Sequence, residues 1–139
     1  MNIKIITTKK INEKFSMEGI KEYQKRLSRY CKLKLVQLKN ENGLEKEINE
    51  KTYLILVNAK GEVISSEQLA DKLSNMALKG QSDVTFIVSE EELPSDIADK
   101  ADFKLAVSRM DIGLNVLTLT LHEQIYRAFR INGGEPYHK

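Results

Sequence analysis

Two short runs, residues 53–57 (YLILV) and 83–88 (DVTFIV), are dominated by aliphatic, β-branched and aromatic side chains. A strand with one solvated face alternates apolar and polar residues, whereas one that is apolar throughout is covered on both faces, as in a parallel sheet flanked by helices. Between the two runs lies a helix with both ends marked. Ser65 stands as N-cap with Gln68 three residues on, the spacing of a capping box, and the helical pattern continues to about Lys79 before Gly80 stops it. Strand, crossover helix and strand form the repeating unit of a parallel sheet.

The remaining segments extend that unit. Residues 2–8 (NIKIITT), 32–39 (KLKLVQLK) and 103–107 (FKLAV) read as strands. Phe15, Ile20, Tyr23, Leu27 and Tyr30 form a helical stripe over residues 11–30, in which Gly19 costs about 1 kcal/mol relative to Ala. Residues 44–50 predict a short acidic helix, residues 58–61 (NAKG) a turn, and Pro94-Ser95 the start of a short helix to about Ala101. The order predicts one α/β domain, a three-layer sandwich around a mostly parallel sheet, and 139 residues are enough for its core. Such sheets bind ligands beyond the carboxyl ends of their strands, which points to the loops after Val57, Val88 and Val107.

The last 26 residues carry two faces and a break. Leu114, Leu117, Leu121, Ile125, Ala128 and Phe129 form a core stripe on a helix. Leu119, His122, Tyr126 and Arg130 form a second face too apolar to be simply solvated, and it reads as a partner surface, predicting a homodimer through this helix. Asn132-Gly133-Gly134 ends the helix, Pro136 cannot resume it, and the tail with Tyr137 and His138 is expected to leave as a directed arm. Lys21, Lys25 and Arg29 share one face of the first helix, which is either solvated or phosphate-contacting. Cys31 stands alone and reads as structural. No metal site is expected, because His122 and His138 lack a Cys or carboxylate at ligand spacing. With no apolar run near the roughly 20 residues of a membrane helix and no signal-peptide pattern, the expectation is a cytoplasmic protein without a membrane partner.

Read continuously, residues 121–139 (LHEQIYRAFRINGGEPYHK) resemble the C-terminal signature of the ribosomal RNA large subunit methyltransferase H family, small enzymes of the SPOUT class. Residues 65–70 (SSEQLA), 80–83 (GQSD) and 107–110 (VSRM) are similar to further segments of it. The resemblance implies a SPOUT-like fold with a C-terminal trefoil knot, a homodimer, S-adenosylmethionine as cofactor, and methylation of N3 of a pseudouridine in large-subunit (23S) rRNA, free or in the assembled ribosome. It implies a cofactor site formed by Val57, Ser89, Val107, Ser108, Arg109, Met110, Asp111 and Ile112, the last loop working through its backbone. Tyr137 and His138 would be the catalytic pair, reaching the partner subunit's site.

The chain departs from the family at that site. After the strand ending at Val88 the family carries a Gly-Gly pair and a further Gly, but here the loop reads Ser89-Glu90-Glu91-Glu92-Leu93-Pro94. Asp111, Ile112, Gly113 and Leu114 stand where the family has Thr, an apolar residue, Pro and His. Thr118 replaces an Arg, and Thr8 a Gly. Side chains where backbone should approach, with up to three carboxylates, imply weakened S-adenosylmethionine binding. Two readings follow. One is an active rRNA methyltransferase with a divergent cofactor pocket, favoured by the intact Tyr137-His138 tail. The other is a catalytically silent SPOUT-like paralogue that keeps the dimer and ribosome binding.

Overall fold

A computed structural model describes residues 1–138. The elements are β1 (Asn2–Thr7), α1 (Lys14–Leu27), β2 (Lys32–Gln37), α2 (Leu44–Glu47, entered through a 3-10 turn at Glu41–Gly43), β3 (Tyr53–Val63), α3 (Ser66–Leu78), β4 (Asp83–Val88), α4 (Ser95–Ala98), β5 (Phe103–Ala106) and α5 (Leu114–Asn132). All strand pairs are parallel, in the order β2-β1-β4-β3-β5. The Ser65–Gln68 capping box forms as expected: Gln68 N–H donates to Ser65 Oγ (3.1 Å) and Ser65 N–H to Gln68 Oε1 (2.8 Å).

Side-chain alternation divides the sheet into unequal faces. Ile3, Ile5, Ile55, Val57, Val84, Phe86, Val88 and Leu105 enter one core, covered by α1, α3 and α5. Ile6, Leu54, Leu56 and Ile87 enter a smaller one with Leu44 and Ile97, from the single turns α2 and α4. The three-layer sandwich therefore holds, with a thick helical layer and a thin one.

Two expectations are corrected. Residues 58–61 do not turn the chain away: β3 runs on to Val63, bulging at 58–61 so that both Val57 and Glu62 register with Leu105. Gly61 makes this feasible, since a Cβ there would lie 2.4 Å from the Leu105 carbonyl carbon, inside the backbone of the neighbouring strand. The second face of α5 is not left for a partner. His122 is 0% and Tyr126 8% exposed because α1 covers them. Gly19 sits at that crossing, where a Cβ would meet the tip of the Leu119 side chain at 2.7 Å, so a larger residue there requires Leu119 to change rotamer.

Candidate functional site

Three loops meet at the carboxyl end of the sheet. Asn58 and Ala59 from the bulge in β3, Ser89 and Glu90 after β4, and Val107, Ser108, Met110, Asp111, Ile112 and Gly113 after β5 surround an open cavity of about 190 Å³ with Leu117 of α5 at its base. Of the residues expected to bind a cofactor, Ser89, Val107, Ser108, Met110, Asp111 and Ile112 are brought together there. Val57 is not. Its side chain is 0% exposed, in the core beneath α1, α3 and α5. Arg109 also stays out of the cavity, and its guanidinium donates to the carbonyls of Ala59 (3.0 Å) and Gly61 (2.7 Å), tying the third loop to the bulge in the first. Asn58 and Ala59, one and two residues past Val57, were missed because the apolar run stops at Val57 while the strand does not.

The acidic loop is more ordered than its composition suggests. Ser89 Oγ donates to the Glu91 carbonyl (2.7 Å) and accepts from Glu91 N–H (3.2 Å), a local turn. Glu92 forms an ion pair with Lys60, whose hydrogen bond holds its carboxyl below the usual range, and Glu91 lies 3.8 Å from Lys9. The three expected negative charges thus reduce to one that faces the cavity, Glu90.

A family model described as Predicted SPOUT methyltransferase matches residues 1–138. The chain belongs to the SPOUT methyltransferase family. Relatives from Clostridioides difficile (strain 630), Clostridium novyi (strain NT) and Alkaliphilus oremlandii (strain OhILAs), each named ribosomal RNA large subunit methyltransferase H, are 38%, 38% and 39% identical to it over alignments that cover all of this chain and all of each relative. In this SPOUT chain the cavity is made by the bulge within β3 and by the loops after β4 and β5.

The tail is found elsewhere. Gly134, at φ +66, turns the chain, and the tail folds back on α1 and α5 instead of leaving as an arm. Glu135 holds it down, accepting from the Tyr30 hydroxyl (2.6 Å) and from Arg130 (2.6 Å). Tyr137 packs edge-on against Tyr126, with ring centroids 4.9 Å apart, and its hydroxyl donates to Glu123 (3.0 Å). Burial first, then hydrogen bonding to Tyr23 and Glu123, raises its pKa. His138 Nδ1 accepts from Arg127 (3.0 Å), and its Nε2 pairs with Glu67. Leu117 at the cavity and Glu123 under Tyr137 are six residues apart on one helix, about 9 Å along its axis. In this position neither Tyr137 nor His138 lines the cavity of its own subunit.

Two further groups bear on chemistry. His122 is neutral, its pKa lowered to about 4 by burial, with Nδ1–H donating to the Thr118 carbonyl (2.8 Å). Burial pushes the Cys31 thiol up to about 11, which suits a core residue and not a nucleophile. Among the described residues no group of three His, Cys, Asp or Glu could hold a metal ion, and no helix is long and apolar enough to cross a membrane.

Proposed function

We propose that this protein transfers a methyl group from S-adenosylmethionine to large-subunit rRNA, at N3 of a pseudouridine in the RNA or the assembled ribosome. The observation that carries the reading is the cavity assembled from the β3 bulge and two strand-end loops in a chain that aligns throughout with the methyltransferase H relatives. The lining suits the cofactor. Val107, Ile112 and Leu117 offer an apolar floor for an adenine, Asn58 an amide for polar edges, and Glu90 and Asp111 negative charge for an ammonium and a sulfonium. When bound, the cofactor supplies an electrophilic methyl group. What this chain's residues then have to do is orient two reactants in line and exclude water.

Homodimerisation belongs to the same reading, with a changed basis. With the face at His122 and Tyr126 covered, Met110 is an exposed apolar residue lining the cavity, and Phe15 and Val116 are exposed on the segments that the Asn12–Asn115 contact joins. Tyr137 and His138 would then serve the partner's cavity, since their own lies too far along α5, and His138 would assist removal of the N3 proton. The trefoil knot is also part of this reading and rests on the family resemblance alone.

The silent-paralogue alternative keeps one specific support, the glycine-free Ser89–Leu93 loop beside a cavity smaller than the roughly 300–1,000 Å³ of common ligand sites. Incubation with methyl-labelled S-adenosylmethionine and either unmodified large ribosomal subunits or their extracted RNA, followed by mass mapping of nucleosides, separates the two. Label in a single methylated pseudouridine is expected. No label, together with no cofactor binding at millimolar concentration, would put the silent paralogue in its place.

A further inference from the structure

The cavity has a charge asymmetry that its composition conceals. Of the three glutamates after β4, Glu91 and Glu92 are turned to Lys9 and Lys60 on the rim. Glu90 lines the cavity, and Asp111 lines it from the loop after β5. Neither has a cation within ion-pair distance among the described residues, and no lysine or arginine lines the cavity. Arg109, the nearest cation in sequence, is held away by two backbone carbonyls. A ligand here meets two carboxylates engaged in no ion pair, although Glu90 also borders an adjoining groove that holds Lys9 and Lys39.

We propose that Glu90 and Asp111 make this site selective for the charge on the cofactor's sulfur, retaining the sulfonium form and rejecting the neutral thioether left after transfer. This rests on the cofactor-site reading above. In the transfer the sulfur–methyl bond breaks with its electron pair remaining on sulfur, a nitrogen–methyl bond forms, and the N3 proton passes to solvent. The cofactor, with ammonium, carboxylate and sulfonium, goes from net +1 to net 0. Charges a few ångströms apart near a protein surface change affinity by about tenfold each. The acidic walls therefore favour the reactant over the product by about tenfold or more and promote product release. The same walls stabilise the sulfonium more than the transition state, in which its charge is already dispersing, so they lower KM without raising kcat.

Titration calorimetry of the full chain with S-adenosylmethionine, S-adenosylhomocysteine and sinefungin tests this, the last carrying a protonated amine near the sulfonium position. The two cationic ligands are expected to bind about tenfold or more tightly than S-adenosylhomocysteine. In Glu90→Gln/Asp111→Asn the ratio should fall to near one, through weaker binding of the cations. Both residues are exposed loop positions, and each single variant should remove part of the ratio if the double variant folds poorly. S-adenosylhomocysteine bound as tightly as the cations by the wild type, or a ratio that survives the double variant, overturns the selectivity alone. Binding of none of the three overturns the cofactor site and the selectivity with it.

Discussion

The cavity end of the molecule and the tail end respond oppositely to the changes in this sequence. At the cavity the residues differ from those the sequence resemblance implies, yet the β3 bulge and the two loops still converge. At the tail the residues match those the sequence resemblance implies, yet Tyr137 and His138 are engaged with their own chain. Loop positions follow from the parallel strands and the bulge at 58–61, which depend on backbone pairing and on few side chains. The tail's position follows from individual bonds made by Tyr30, Glu123, Arg127 and Arg130. Topology tolerates substitution at the first place, and chemistry fixes the second.

The strongest way to break this contrast is at Gly61. In Gly61→Ala the new Cβ collides with Leu105 backbone, which sits within a ladder and cannot rotate away as a side chain would. A loss of about 3 kcal/mol in unfolding free energy is expected, at the upper end for overpacking. It should appear as a lower urea midpoint together with loss of ligand binding at the cavity. A change below about 1 kcal/mol would mean that side chains, and not this crossing, set the cavity end.

His122 gives the next largest effect, at the helix pair that carries the tail. Its folded pKa of about 4 lies below the ordinary 6.5, so the unfolded chain binds the extra proton. Stability is full above about pH 6.5 and is lost as the pH falls toward 4, by up to about 3 kcal/mol. His122→Gln, which keeps a donor near the Thr118 carbonyl, should flatten that slope in unfolding measured at pH 7.5 and 4.5. An unchanged slope would move the acid sensitivity to other groups.

A smaller effect is expected at the tail. Tyr137→Ala removes an edge-on aromatic contact and a hydrogen bond to Glu123, costing about 1–2 kcal/mol and lowering the melting temperature by several degrees. From sequence the tail was expected to leave as a directed arm, and an unchanged melting temperature would restore that view.

These variants also mark where the sequence was legible. The apolar runs at 53–57 and 83–88, the capping box at Ser65 and the stripe on α5 specify strands, a helix start and a core face through local periodicity, and the structure has them all. The continuation of β3 through Asn58-Ala59-Lys60-Gly61 was hidden, because a Gly read locally signals a turn and only the neighbouring strand shows that it admits a close approach. The cover over His122 and Tyr126 was hidden for a related reason: α1 and α5 are about 100 residues apart in the chain, and no periodicity reports which face meets which. Arg127–Glu123 was readable, since residues four apart on a helix face each other, whereas Arg130–Glu135 depends on the turn at Gly134 beyond the helix end.

The smallest effect concerns charge at the rim, and it sharpens the distinction between lining and bordering a site. Lys60 and Glu92 are each 72% exposed, and their ion pair spans the gap between the bulge in β3 and the acidic loop. It has the position of a strap, but exposed pairs are screened by water and salt and lose side-chain entropy on forming, so they contribute little. Lys60→Ala should leave the melting temperature unchanged within error, and Glu92→Gln should leave the affinity for S-adenosylmethionine unchanged, while Glu90→Gln, two residues earlier in the loop, weakens it. Titrations of the two glutamine variants at low and moderate salt check this directly. If Glu92→Gln weakens binding as much as Glu90→Gln does, the loop acts through its summed charge, and the separation of one inward carboxylate from two outward ones has no functional weight.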